Sequence, residues 1–219
     1  MIFKDRSEAG RRLAKLLKPY ANRDDVIVLG IPRGGVPVAF EVAVALKAPL
    51  DLFLLRKLGV PGQEELAFGA IASGGVRVLD HEIVEGMGLT NNQIEEVVAR
   101  ETKELQRRER LYRGGRPPLD IRGLTVLLVD DGIATGSSMR AAIAALRQRR
   151  PSRLVIAVPV APSSTCKRLQ AAVDELVCDQ MPESFYAIGQ FYEDFSQVTD
   201  EEVIDLLGRT ARPAPEQVV

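Results

Sequence analysis

Val26-Ile27-Val28-Leu29-Gly30-Ile31-Pro32-Arg33-Gly34-Gly35 is the stretch that decides how the chain folds. Its first four residues are all apolar and three are β-branched, with no polar alternation, which describes a strand buried on both faces. The glycine- and proline-bearing turn stops that strand. Val36 to Leu46 then reads as a buried, alanine-rich helix, and Leu50 to Leu55 as a second apolar run. Strand, crossover helix and strand make a βαβ unit, whose right-handed crossover requires parallel strands. The fold class is therefore α/β.

Working outward, Ala9, Leu13, Leu16, Leu17 and Tyr20 recur at helical spacing between basic residues, an amphipathic helix over 8–20 that covers one face of the sheet. Residues 57–80 are punctuated by glycine and hold short strands at Leu66 to Ala72 and Val76 to Leu79, an antiparallel excursion suited to a mobile flap. Thr90 or Asn91 caps a long helix to about Tyr112, with Glu96/Arg100 and Glu104/Arg108 as i,i+4 pairs. Its narrow apolar stripe serves a seam against the body or a subunit contact. Gly114-Gly115-Arg116-Pro117-Pro118 leads back to the core. Leu124 to Val129 is a third strand, followed by an acidic, glycine-bearing turn and a helix to about Arg149. Arg153 to Val160, Ser163 to Ala172 and Glu175 to Cys178 supply strand, helix and strand.

The expected architecture is an open, mainly parallel five-stranded sheet with helices on both faces, in one domain spanning 1–208. A flap and helical insertion occupy about 58–118, a small hood about 179–208, and a disordered tail 209–219.

Composition narrows the function classes. With 46% hydrophobic and 27% charged among 219 residues, the chain is no collagen, coiled coil or disordered tail. Twenty-nine basic residues against 30 acidic ones leave a net charge of −1, so no global field recruits nucleic acid or an anionic membrane, and an anion site must be local. Cys166 and Cys178 form no CxxC pair and His81 is the sole histidine, which argues against structural zinc. The charged start and the lack of a long apolar run point to a cytoplasmic protein with reduced thiols. His81 reads as structural. The run Arg147, Arg149, Arg150 and Arg153 complements a helix C-terminus, with no reader motif beside it.

The chemistry concentrates in Val129-Asp130-Asp131-Gly132-Ile133-Ala134-Thr135-Gly136-Ser137-Ser138-Met139. A strand ending in such a turn and opening a helix aims free N–H groups and the positive end of the helix dipole at one place. Thr135, Ser137 and Ser138 add hydroxyls, a cradle for a phosphate monoester. Asp130 and Asp131, acceptors only when ionised, suit adjacent hydroxyls or a hydrated Mg²⁺. A sugar phosphate satisfies both halves. No Gly-Lys-Ser/Thr follows the glycines, so this is not a Walker loop.

Leu127 to Met139 resembles the phosphoribosyl-diphosphate signature of type I phosphoribosyltransferases. The resemblance implies that Asp130 and Asp131 hold the ribose hydroxyls and, through water, the metal, while Ala134, Thr135, Gly136, Ser137 and Ser138 wrap the 5′-phosphate. Gly132 departs from the usual branched apolar residue, and Ser138 from the usual threonine. Gly30 to Gly35 sits where this family places its pyrophosphate loop, which implies pyrophosphate contacts from Arg33, Gly34 and Gly35 and a catalytic part for Arg33 beside the two acids. Arg56-Lys57, closing the second strand, and Pro61-Gly62 resemble the approach to the flexible loop of adenine-type enzymes, which implies further pyrophosphate contacts and tilts the acceptor weakly toward a purine. If Glu64 to Gly75 is that loop, it closes over substrate.

Phe185, Tyr186, Phe191, Tyr192 and Phe195 crowd the expected hood. Phe185 and Tyr186 either stack on a base or belong to the hood's own small core. Residues 182–203 resemble a bacterial phosphoribosyltransferase-like subgroup of unassigned acceptor. The resemblance as a whole implies an Mg²⁺-dependent enzyme of the nucleotide-salvage type that moves the phosphoribosyl group from phosphoribosyl diphosphate to a nitrogenous base and releases pyrophosphate. A non-catalytic sensor of that ligand and a ribose-phosphate hydrolase or phosphorylase are the alternatives. Dimers are the commonest assembly of this fold family, so a homodimer is the candidate assembly.

Overall fold

Every residue of the first strand, β1 (Val26–Gly30), is buried, as its uninterrupted apolar sequence requires. In the computed structural model, which describes residues 2–210, β1 lies inside a five-stranded, wholly parallel sheet. The elements preceding and following it are α1 (Arg6–Leu16), a 3-10 turn (Lys18–Tyr20), α2 (Gly35–Leu46) and β2 (Leu50–Leu52). A second sheet and two helices intervene: β3 (Leu55–Val60), β4 (Gln63–Ala72), β5 (Val76–Leu79), α3 (His81–Gly86) and α4 (Asn91–Arg113). The main sheet resumes with β6 (Thr125–Val129), α5 (Ser137–Gln148), β7 (Arg153–Val160), α6 (Ser163–Gln170) and β8 (Glu175–Gln180). A 3-10 turn (Ile188–Phe191) and α7 (Asp200–Thr210) follow.

The main sheet runs β2-β1-β6-β7-β8. Alternate residues of its buried strands feed two cores. Val28, Leu127, Val129 and Val155 pack with α1, α2 and α7, while Ile27, Leu29, Val126, Leu128 and Ile156 pack with α5 and α6. This double burial explains why the strands read as continuous apolar runs rather than as alternation.

Several boundaries depart from the sequence reading. Helix α1 starts at Arg6, because the Asp5 side chain accepts from Glu8 N at 2.7 Å, and it ends at Leu16, ahead of a 3-10 turn whose second residue is Pro19. The run Leu50 to Leu55 is not one strand. β2 pairs with β1 over three residues, Phe53 N then donates to Gly30 O, and the chain leaves for the second sheet at Leu55. Arg56 and Lys57 therefore lie inside β3 rather than at the end of the second core strand.

The excursion after them is an ordered antiparallel sheet, β3-β4-β5, continuous from Gln63 to Ala72. One face contributes Leu58, Phe68 and Ile71 to the core shared with Ile94, Val97 and Leu105 of α4; Ala72, Val76 and Val78 join the core of α5. Helix α4 begins with a Thr90/Gln93 capping box and seats a buried stripe on the body. Glu104 pairs with Arg108 as expected, whereas Arg100 pairs with Glu101 instead of Glu96. The insertion is fastened where α4 ends: the buried Arg113 guanidinium donates to Asp51 and to Leu52 O. His81 is exposed at the first position of α3. Arg209 and Thr210 complete α7, and the rest of the tail expected over 209–219 lies outside the described residues.

Candidate active site

Strands β1 and β6 are neighbours, but the chain leaves β1 toward β2 on one side and β6 toward β7 on the other. Such a reversal opens a crevice at the C-terminal ends of the strands. The loops after β1 and β6 meet there, joined by Ile31 N donating to Val129 O at 3.0 Å, and each opens a helix, α2 and α5.

The approach of the two loops leaves no space for side chains at the glycines. A Cβ on Gly34 would coincide with Asp131 Oδ2, and one on Gly35 would stand 2.8 Å from Asp130 Cα and 2.9 Å from Val129 O. Gly34 has ordinary right-handed helical angles, so it is needed for room and not for conformational freedom. Arg33, in the same turn, follows a cis peptide bond after Pro32 and reaches Asp200 at 3.7 Å, a long contact with the side chain still partly exposed.

The two acids have different environments. Asp130 Oδ1 accepts from Asp131 N at 2.9 Å. Burial, followed by the charge of Asp131, pushes the Asp130 carboxyl well above the usual carboxylate range. Asp131 is also raised by burial, but Arg6 opposes the shift: its Nε donates to Oδ2 at 2.8 Å. Tyr192 Oη donates to the Asp131 carbonyl at 2.6 Å. Two crowded carboxylates whose ionisation is resisted form a place where a cation is welcome. Among the described residues no third acidic, histidine or cysteine ligand joins them. That donor set fits Mg²⁺, which keeps most of its water and takes one or two carboxylates together with substrate oxygens.

Beyond the acids, Ala134, Thr135 and Ser138 are exposed, and Gly136 turns the chain into α5 at φ +79°. Ser137 N donates to Thr135 Oγ1 at 3.5 Å. Thr165 of α6 supports the loop from below, its hydroxyl donating to Ala134 O at 2.9 Å, and Arg168 reaches Thr135 O at 3.3 Å. Lys57 crosses from β3 to donate to Ser137 Oγ at 2.9 Å. Arg56 is drawn the other way, onto Glu101 of α4 at 2.6 Å, so the basic pair contributes one residue to the loop and one to the insertion.

At the aromatic end, Phe185 stacks on Phe191 at 5.4 Å and packs with Phe3, Val160 and Tyr192, whereas Tyr186 is 91% exposed. Gly132 gains an explanation: a Cβ there would stand 2.7 Å from Ile188 Cγ2 and 3.1 Å from Val160 Cγ1, so Ile188 fills the volume a branched residue would need. Sequence reasoning missed Arg6, Thr165, Ile188 and the part played by Tyr192. Arg6 lies 125 residues from Asp131, and no local pattern links them.

The phosphoribosyl transferase domain family matches residues 3–196. Relatives from two strains of Mycobacterium tuberculosis, provisionally named phosphoribosyl transferases, are 46% identical over 211 residues, which is 96% of this chain. The chain spans 47% of their length, about half. A crystal structure of a protein from Thermus thermophilus is 43% identical and superposes with a TM-score of 0.85, covering 97% of this chain and all of that one. The bifunctional protein PyrR of Brevibacillus brevis is 28% identical over 137 residues, 56% of this chain and 76% of its own. With the family matched across nearly its whole length and a fold shared with a relative at this identity, the chain belongs to the phosphoribosyl transferase domain family.

Proposed function

We propose that the crevice between β1 and β6 binds phosphoribosyl diphosphate and transfers its phosphoribosyl group to a nitrogenous base, a purine by weak preference, with release of pyrophosphate in a cytoplasmic reaction. The observation that carries this reading is the contact of the Asp130/Asp131 pair with the Gly34-Gly35 turn, at the opening of two helices. A ligand lying there meets acceptors for ribose hydroxyls on one side and donors for phosphates on the other.

In this mechanism the α5 N-terminus, with Ala134, Thr135, Gly136, Ser137 and Ser138, takes the 5′-phosphate, because its first N–H groups lack helical partners. Asp130 and Asp131 orient the ribose hydroxyls, and their charge favours the positive character that grows on the sugar ring as the anomeric bond breaks. Arg33, released from its long contact with Asp200, forks onto the departing pyrophosphate at the Gly34-Gly35 turn. Lys57, bonded to Ser137, adds a point charge beside the 5′-phosphate loop. Asp130 and Asp131 would hold Mg²⁺, which when bound would supply positive charge against the charge developing on pyrophosphate. The base attacks directly, so no protein nucleophile is required, and the rate rests on positioning and electrostatics. Tyr186 is free to stack on the base, whereas Phe185 is engaged with Phe191.

Pyrophosphate release from phosphoribosyl diphosphate and Mg²⁺, measured against a panel of purine and pyrimidine bases, tests the assignment. We expect release that requires a base and falls at least ~100-fold in Asp131→Asn, the scale on which loss of an electrostatic contact in a transition state is felt. Binding without release for any base would overturn transfer and identify a sensor; base-independent release would identify a hydrolase.

A further inference from the structure

Among the described contacts, both polar bonds that reach Asp131 from outside its own loop come from two segments far apart in sequence, 3–6 and 191–196. Arg6, the first residue of α1, holds the carboxylate, and Tyr192 holds the carbonyl. The two segments are themselves joined: Phe3 N donates to Phe191 O, Glu193 N to Phe3 O and Asp194 N to Lys4 O, all at 2.8–2.9 Å. The Phe3 and Tyr192 rings pack at 5.3 Å. The Arg6 guanidinium is fixed on two further sides, 3.9 Å over the Phe195 ring and 2.8 Å from Ser196 O. We infer that this paired unit is a clamp on Asp131, and that Arg6 and Tyr192 are positioning residues for the acid pair; the inference rests on the proposed ribose site.

Three features separate a clamp from a strap that merely closes the fold. The backbone bonds and the packed rings already join the two segments, so the charge of Arg6 and the hydroxyl of Tyr192 are not needed for that purpose. Both groups converge on one residue of the pair, and no side chain outside the loop is bonded to Asp130 among the described contacts. The clamp also acts where space is tightest: the Cβ position of Gly34 that coincides with Asp131 Oδ2 lies 3.3 Å from Arg6 Nε. Arg6 thus holds the acid on the side where the glycine loop makes room, and a carboxylate released from it is free to rotate out of register with the ribose hydroxyls. Outer contacts that orient a ligating carboxylate characteristically control affinity by 10–100-fold.

The test uses Arg6→Met, which keeps the length and apolar stem, Arg6→Lys, which keeps the charge, and Tyr192→Phe, which keeps the ring. Calorimetric affinity for phosphoribosyl diphosphate with Mg²⁺ is measured on folded protein, with the thermal midpoint recorded separately. We expect about 10–100-fold weaker binding for Arg6→Met, recovery to within a few fold of the wild type for Arg6→Lys, and about 3–10-fold weaker binding for Tyr192→Phe. A lowered thermal midpoint with unchanged affinity in Arg6→Met and Tyr192→Phe would mean a strap only and would overturn the clamp. If Arg6→Met does not fold, Tyr192→Phe and Arg6→Lys decide: unchanged affinity in Tyr192→Phe overturns the clamp, and a weakening in Tyr192→Phe exceeding that in Arg6→Lys supports it. Failure of the wild type to bind removes the ribose site itself, and the clamp with it, whereas equal binding by wild type and variants removes only the clamp.

Discussion

Gly34 and Asp131 meet without room for one added carbon, whereas Gly75, at a turn of the three-stranded sheet, has nothing within 4 Å of where its Cβ would stand. The first pair belongs to the floor of the cleft, where two loops, two acids and the segments 3–6 and 191–196 interlock. The second belongs to the insertion, whose small sheet packs between α4 and α5 and reaches the cleft through the exposed contact of Lys57 with Ser137. The floor is set by excluded volume and buried charge, both short-ranged and intolerant of change. The cleft-side edge of the insertion is set by solvated polar contact, which is weak and readily remade. A cleft with a stiff floor and a lightly held side is what the proposed sugar-phosphate site would require, one geometry for the bound ligand and a way in and out.

The sharpest way to break this contrast is to add the same methyl group to both regions. Gly34→Ala must displace Asp131 or the turn, and a shift of about 1 Å at such a centre costs on the order of 100-fold in turnover. Gly75→Ala adds strain at φ +76°, worth about 1 kcal/mol of stability, and leaves turnover within a few fold of the wild type. Steady-state pyrophosphate release and thermal melts on both variants check the pair. Equal losses of turnover would show that the floor is no stiffer than the far turn.

A smaller effect, opposite in sign, comes from the buried charge of the floor. Asp130 has a native-state carboxyl raised by burial and by Asp131, so the folded protein holds that proton more tightly than the unfolded chain. Stability from this group is complete below about pH 4, the ordinary carboxylate value, and is lost as pH rises through the raised native value. Asp130→Asn removes that loss. We expect the ligand-free variant to be more stable than the wild type at pH 7 by about 1 kcal/mol, with the difference shrinking as the pH falls toward 4. Denaturant melts across that range measure it. A variant less stable at pH 7 would mean that the pair is not strained. Asp131→Asn should behave differently, since it strips Arg6 of its partner and offsets any relief.

How much of this was legible in the sequence divides along the same line. The floor's elements are local: Val26 to Gly35 and Leu127 to Met139 each carry strand, turn and helix within a dozen or so residues, and burial on both faces writes them as unbroken apolar runs. Strands β1 and β6 and the acid pair could be read for that reason. The partners of the pair could not, because Arg6 and Tyr192 reach Asp131 across 125 and 61 residues and leave no periodic trace. In the insertion, glycine punctuation announced antiparallel strands, but the start of β3 was hidden inside the run Leu50 to Leu55. An apolar run does not show where one sheet hands the chain to another. Adjacent residues on a strand point to opposite faces, which is why the pair Arg56-Lys57, read together as one basic feature, ends on two different helices.

That separation supplies the smallest prediction and the one that most sharpens the contrast. Lys57 is exposed and touches the phosphate loop through one hydroxyl, so removing its charge from the free protein should change stability by less than about 0.5 kcal/mol. Its value appears only with an anion in place, where Lys57→Met should raise the KM for phosphoribosyl diphosphate several-fold and leave kcat less affected, because the charge acts on the bound phosphate in ground and transition states alike. Arg56→Met should show the reverse pattern. Its guanidinium is bound to the largely buried Glu101, whose carboxyl is held below the usual range by Arg56 and Arg100 against the opposing effect of burial. Losing it therefore lowers the thermal midpoint more than it changes KM. If both variants act on KM alone, the insertion is as much a part of the phosphate site as the floor, and the distinction between stiff floor and lightly held side fails.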